Sequence, residues 1–204
     1  MRKPVVVITG AGGEIGHGLI DRLAERGDRR IVTIDISRLD ETIAKKVDRE
    51  ITGSITDLAL LERLMAEFEV DLIFHLAALL STRSEFTPVA AHQVNVEGTL
   101  HLLEFAQHEA ESHGRPVVFI YPSSIAAYGL PHLAAKISAG KVREDEYVHP
   151  TTMYGCNKLY CEQLGHYYAK YYKQLSADAS VSSASTPSGI AMNGIRVSGR
   201  TKQA

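Results

Sequence analysis

Tyr154 and Lys158 stand four residues apart in the run Tyr154-Gly155-Cys156-Asn157-Lys158. Residues at i and i+4 share one face of a helix. An ammonium beside a phenol favours the phenolate, drawing the tyrosine pKa from ~10 toward the working pH. A tyrosine so tuned can take the proton of an alcohol while hydride leaves the alcohol carbon. A Tyr/Lys pair at this spacing is also common on solvated helix faces. Tyr160, Tyr167, Tyr168, Tyr171 and Tyr172 on the same stretch have the simpler role of packing or surface. Ser123 and Ser124 follow an apolar run in YPSSIAAYG. Ligands of open α/β sheets sit beyond the carboxyl ends of the strands, so a hydroxyl there can hold a substrate oxygen against Tyr154. For Ser123 a plain turn role serves equally well.

A second set lies at the start of the chain. Thr9 runs into Gly10-Ala11-Gly12-Gly13-Glu14-Ile15-Gly16, with the motif glycines at 10, 13 and 16. The first permits a tight turn, the second a close backbone approach to a pyrophosphate, and the third close helix–sheet contact. The helix opened by Glu14 and Ile15 offers free N–H groups and partial positive charge to phosphates. A glycine-rich turn without a ligand would look similar in isolation. Here it follows a β-branched strand and opens an amphipathic helix, the context a dinucleotide fingerprint requires. Asp35 comes 19 residues (35 − 16) after Gly16. Its carboxylate can accept from ribose hydroxyls and would repel a 2′-phosphate, which selects NAD over NADP. Arg38 nearby works against that selection, since a guanidinium could hold such a phosphate.

The elements that must position these groups alternate in type. Strands are expected at 5–9, 30–35, 47–51, 72–76 and 116–121, from short apolar and β-branched runs. Helices are expected at 15–26, 57–68 (capped by Asp57), 88–112 and 151–175. The order predicts a doubly wound parallel sheet of Rossmann type with helices on both faces. The stretch 130–149 is polar and reads as irregular. Residues 1–175 form one dinucleotide-binding domain carrying the Tyr/Lys helix. Residues 176–189 read SADASVSSASTPSG, too poor in bulky apolar groups for a core, and therefore as disordered linker. Only 190–197 offers a further strand, so 176–204 is a polar tail or the start of a second domain.

The 204 residues are 45% hydrophobic and 23% charged, ordinary for a soluble globular protein, with a net charge of −2. No basic run or aromatic platform suggests nucleic acid as partner, and no stretch is long enough to span a membrane. Cys156 and Cys161 fall on different helical faces, so a disulfide is not expected, no zinc spacing is present, and a cytoplasmic site follows. The opening MRKPVVVITG is a first strand rather than a targeting segment.

Taken together, TGAGGEIG, Asp35, GSITD, HLAALLS at 75–81, NVEGT at 95–99, PSSIAAYG at 122–129 and YGCNK at 154–158 resemble the extended short-chain dehydrogenase/reductases, the NAD-dependent epimerase/dehydratase family. The resemblance runs from Thr9 to about Tyr172. It implies an enzyme that moves hydride between a secondary alcohol carbon and NAD, with Ser124, Tyr154 and Lys158 as its catalytic set. By the same resemblance Asp57 and Ile55 or Ser54 border the adenine. Leu76, Ala77 and Ala78 line the cofactor, and Asn95 supports the network beside it. Tyr154 and Lys158 also contact the cofactor.

Dehydratases of the family place acidic residues after the catalytic hydroxyl, where this chain has Ile125 and Ala126, which transfer no proton. UDP-galactose epimerases place a lysine where Leu80 stands. The motifs look most like the L-threonine 3-dehydrogenase branch, although the insertion 131–149 is long for it. A nucleotide-sugar epimerase is the alternative. Family members continue into a small substrate domain, which is expected to be missing from a chain ending at Ala204. A truncated, catalytically silent NAD-binding module is therefore a further alternative. The family also pairs its subunits through two helices, here 88–112 and 151–175, which implies a homodimer acting on a small-molecule substrate.

Overall fold

A computed structural model describes residues 4–130, 132–140, 143, 146–172, 178–180 and 194–196. The strand β1 (Val5–Thr9) is the β-branched run VVVIT, buried at every position. It pairs in parallel with β2 (Arg30–Asp35) on one side and β4 (Val70–His75) on the other. The strand β3 (Arg49–Thr52) adds to β2, and β5 (Val118–Pro122) adds to β4, both in parallel. The parallel part thus has the order β3-β2-β1-β4-β5, and its strand order reverses between β1 and β4. That reversal opens a crevice at the carboxyl ends of both strands.

Both faces of the sheet are covered, as the periodicity requires. Val6 and Ile8 of β1 pack with Ile20 and Leu23 of α1 (Glu14–Arg26). Val5 and Val7 point the other way, into a core with Leu61 and Leu64 of α3 (Leu58–Glu67) and Leu102 and Ala106 of α6 (Gly98–His113). Alternate residues of one strand therefore feed two cores, as a parallel sheet between helical layers demands. Asp57 caps α3, its carboxylate accepting from Leu60 N–H at 3.2 Å.

Several expected boundaries move. β3 begins two residues later than expected, and β4 spans Val70–His75 rather than 72–76. A short α2 (Glu41–Ala44) and an α4 (Ser81–Phe86) were not expected at all. The helix expected over 88–112 is interrupted: α5 (Pro88–His92) passes through a π-helical turn, Gln93–Glu97, into α6. Side-chain periodicity does not register a single wide turn, so the interruption is invisible in sequence. Within 130–149, read as irregular, α7 (Leu133–Ala139) buries no residue. Its alanines and the His132 ring, which accepts from Ala135 N–H at 3.1 Å, hold it locally. The last long helix is α8 (Met153–Tyr171); 173–175 lie outside the described residues.

The sheet is not wholly parallel. β7 (Gly194–Arg196) pairs antiparallel with β5, and β6 (Asp178–Ser180) pairs antiparallel with β7. Residues 178–180 thus correct the reading of that stretch as linker. Backbone pairing needs no bulky side chain, so composition gave no sign of it. The remainder of 176–204, and the disorder expected there, lie outside the described residues.

A buried polar chain runs under the crevice. Ala77 N–H donates to Thr9 Oγ1 at 3.3 Å, and Thr9 Oγ1 lies 2.7 Å from His75 Nδ1. His75 Nε2 lies 2.9 Å from Thr99 Oγ1, which donates to the Asn95 carbonyl at 2.6 Å. Each hydroxyl has one proton, so Thr99 accepts from Nε2–H and Thr9 donates to Nδ1. His75 is therefore the neutral Nε2–H tautomer. Burial, aided by the Lys158 charge, pushes its pKa down to about 3. The folded pKa lies below the unfolded value of ~6.5, so this contribution is complete above that pH and is lost as pH falls toward 3. Melting temperature should drop through this window, and His75→Gln should flatten the curve. An equally steep curve in the variant would remove His75 as the cause.

Candidate functional site

The crevice is lined from three directions. The first is the loop between β1 and α1. Gly10 has φ +68°, and a Cβ there would lie 2.5 Å from Ala77 N. The loop is thus pressed against the segment after β4. Gly13 is the N-cap of α1 and brings no side-chain cap. Among the described residues the N–H groups opened by Glu14, Ile15 and Gly16 therefore have no side-chain acceptor, as a phosphate site needs. A Cβ on Gly16 would lie 2.3 Å from the Ala11 carbonyl oxygen, so the third glycine seats α1 against the loop itself.

Asp35 reaches this loop from the end of β2. Its Oδ2 accepts from Gly12 N–H at 2.9 Å and its Oδ1 from Ser37 N–H at 3.0 Å. The acid expected to read a ribose also braces the phosphate loop. Gly12, lying between the counted glycines, was not singled out from sequence; it has no spacing signal. The Asp57 carboxylate is engaged in capping α3, and Ile55 is buried against Gly98. Ile55 anchors its loop from within the core, leaving Ser54, Thr56 and Asp57 at the partly or fully exposed side.

The second direction is the segment after β4. Leu76, Ala77 and Ala78 are partly exposed there, beside the glycine loop. Asn95, buried in the π-helical turn, holds the segment from behind. Its Oδ1 accepts from Leu79 N–H at 2.7 Å, and its Nδ2 donates to Leu79 O at 3.0 Å. The same Nδ2 lies 3.4 Å from Asn157 Oδ1, tying the segment to α8. The Asn95 amide thus holds one backbone residue at two points from within the π-helical turn.

The third direction is α8 against the carboxyl end of β5. Thr152 caps α8 by accepting from Gly155 N–H at 3.0 Å, and Glu85 of α4 accepts from Met153 N–H at 2.7 Å. Ser124 Oγ accepts from Ala126 N–H at 3.2 Å, capping the turn Ile125–Ala127. Ser124 lies near enough to Tyr154 for its hydroxyl to oppose, in part, the rise that burial imposes on the phenol. Lys158 is almost fully buried, donates to Pro122 O at 2.8 Å, and lies 4.2 Å from the Tyr121 ring centroid. Its Nζ is 5.6 Å from the Tyr154 ring centroid. Serine, tyrosine and lysine are thus gathered at one place from two elements.

The electrostatics correct one expectation. Tyr154 was expected below the usual phenol range because of Lys158. Burial instead raises it, with the Ser124 hydrogen bond opposing. Lys158 itself is pushed down to about 8 by burial, with Cys161 and Glu162 opposing. Desolvation outweighs a cation held by a carbonyl more than 5 Å away.

A parallel sheet with a glycine loop at its switch point, an uncapped helix N-terminus and an acid closing β2 defines a dinucleotide-binding domain of Rossmann type. The chain belongs to the NAD-dependent epimerase/dehydratase family, whose model matches residues 6–181. NAD is its cofactor, and the donors around the glycine loop fit a pyrophosphate. An uncharacterised epimerase/dehydratase of Staphylococcus epidermidis is 34% identical over 166 residues, covering 80% of this chain and 48% of the relative. L-Threonine 3-dehydrogenase from Trypanosoma brucei superposes with a TM-score of 0.71 at 28% identity, over 85% of this chain and 51% of that one. UDP-glucose 4-epimerase from Brucella ovis, solved in complex with NAD, superposes with a TM-score of 0.68 at 28% identity, over 83% and 49%. The chain spans about half the length of the curated relatives it matches.

Proposed function

We propose that the protein oxidises or epimerises a secondary alcohol with NAD, using Tyr154 as acid/base, Ser124 as the anchor of the substrate oxygen and Lys158 as the supporting cation. The observation that carries this reading is the gathering of Ser124, Tyr154 and Lys158 at the carboxyl end of β5, where Lys158 Nζ donates to Pro122 O at 2.8 Å and lies 5.6 Å from the Tyr154 ring centroid. Gly10, Gly13, Glu14, Ile15, Gly16 and Asp35 would hold the pyrophosphate and adenosine ribose. Ser54, Asp57 and the loop anchored by Ile55 would flank the adenine, and Leu76, Ala77 and Ala78, braced by Asn95, would flank the remainder. NAD, when bound, supplies the hydride acceptor and a positively charged ring, and positive charge nearby favours phenolate. Ser124 donates to the substrate oxygen, and Tyr154 takes the hydroxyl proton as the C–H bond breaks. In the reverse direction Tyr154 returns that proton.

L-Threonine 3-dehydrogenase chemistry is the preferred subtype. It is supported by superposition on the Trypanosoma brucei enzyme and by HLAALLS. The Brucella ovis neighbour supports sugar-nucleotide epimerisation as the second reading. Following NADH formation with L-threonine, and C4 inversion with UDP-glucose, separates the two; neither reaction in a preparation that binds NAD would refute both. A cytoplasmic location accords with the two free cysteines. Among the described residues no helix is long and apolar enough to cross a membrane.

Selection of NAD over NADP should follow from Asp35. Calorimetric titration is expected to give tighter binding of NAD, and Asp35→Ala should narrow the gap. The variant should also weaken NAD, because Gly12 N–H loses its acceptor. Equal or tighter NADP binding by the unaltered protein contradicts the assignment.

A homodimer is expected through the helices 88–112 and 151–175. Tyr160, Tyr167 and Tyr171, at i, i+7 and i+11 of α8, and Val89 of α5 are exposed. Most of α6 is covered by its own chain, so α8 would supply the larger apolar share. Light scattering at micromolar concentration should give twice the chain mass; a clean monomer excludes the pairing.

A further inference from the structure

Lys158 and Glu162 lie one turn apart on α8, and they grip consecutive residues at the end of β5. Lys158 Nζ donates to Pro122 O at 2.8 Å. Ser123 Oγ donates to Glu162 Oε1. Pro122 is the last residue of β5 and Ser124 begins the next turn, so both bonds bracket the backbone that presents Ser124. We propose that Ser123 and Glu162 are a positioning pair: they complete a clamp between α8 and β5, and the Glu162 carboxylate is the counter-charge that keeps the buried Lys158 an ammonium.

A buried ammonium with one carbonyl acceptor is costly unless a negative charge lies near. The groups facing Lys158 come from three elements. His75 of β4 is held neutral by burial. Tyr121 of β5 is raised well above its usual range by burial. On α8, Tyr154 and the Cys161 thiol are both raised, again chiefly by burial. All four are therefore uncharged where Lys158 titrates, near pH 8. Cys161 as a thiol cannot supply the negative charge, which among the described residues leaves Glu162. Serving the Lys158 charge also gives Ser123 a defined task, where the sequence left it equally a turn residue. The consequence for turnover rests on the site reading above; the charge state of Lys158 does not, and it can be measured directly.

The 13Cε resonance of Lys158 in lysine-labelled protein, assigned by its loss in Lys158→Met, reports its protonation. The unaltered chain should titrate near pH 8. Glu162→Gln should lower the midpoint by roughly one unit, and Glu162→Asp should recover part of the shift. Cys161→Ser should leave it in place. An unchanged midpoint in Glu162→Gln, or a shift of equal size in Cys161→Ser, overturns the proposal. Should Glu162→Gln fail to fold, Ser123→Ala is read instead. It keeps every charge but releases the carboxylate, so the midpoint should fall by a smaller amount; no fall overturns the clamp. If the midpoints behave as expected while Tyr154→Phe retains its rate, the clamp stands and the catalytic reading falls.

Discussion

Tyr154→Phe is expected to lower kcat by about 10²–10⁴-fold while NAD still binds, the range general acid–base catalysis contributes. The variant removes the hydroxyl and keeps a ring that is mostly buried, so packing is retained. Two companions separate the roles. Ser124→Ala should lower kcat with little change in NAD affinity. It also removes the acceptor for Ala126 N–H, so a small fall in melting temperature should accompany it. Lys158→Met keeps the stem and loses the charge. Burial, not Lys158, dominates the Tyr154 shift. The onset of activity should therefore move only modestly to higher pH, and the larger loss should fall on cofactor affinity. If Tyr154 and Lys158 were an ordinary helix-surface pair, all three variants would turn over normally. A near-normal rate in Tyr154→Phe alone suffices to discard the mechanism, and it leaves the cofactor site untouched.

The second large effect is expected at Gly16. Alanine is favoured over glycine inside a helix by about 1 kcal/mol, so propensity alone predicts stabilisation. The new Cβ, however, would lie 2.3 Å from Ala11 O and 2.7 Å from Ala11 C. These are backbone atoms and cannot rotate aside. Separating α1 from the loop costs typically 1–3 kcal/mol, as overpacking does, and that exceeds the propensity gain. The displacement also moves the N–H groups proposed to hold the phosphates. Gly16→Ala should therefore lower the melting temperature and raise the NAD Kd at least about tenfold, equivalent to ~1.4 kcal/mol. Gly18→Ala is the control: it lies on the same helix, and among the described residues nothing stands within 4 Å of its added Cβ. Gly18→Ala should match or exceed the parent in stability. Equal NAD affinity in the two variants would show that close contact at Gly16 does not shape the site.

Much of this protein was legible in one dimension because its signals are local. A β-branched run buried on both faces, glycines at 10, 13 and 16, and an acid closing the second strand each follow from the chemistry of a few neighbouring residues. So does the Tyr154/Lys158 spacing, since i and i+4 share a face in any helix. The order of strands and helices then limits the sheet to a doubly wound form. Whatever depends on a distant partner was not legible. The π turn that carries Asn95, and the Asn95–Leu79 bonds made from it, were not read from the helical pattern on either side. The strand β6 pairs through its backbone over a stretch whose composition gave no strand signal, whereas β7 falls within 190–197, where a further strand was expected. The roles of His75, Ser123 and Glu162 arise only when β4, β5 and α8 come together. The sign of the Tyr154 shift was decided the same way: spacing sees the nearby lysine, whereas burial and the lysine's attachment to Pro122 exist only in the folded chain.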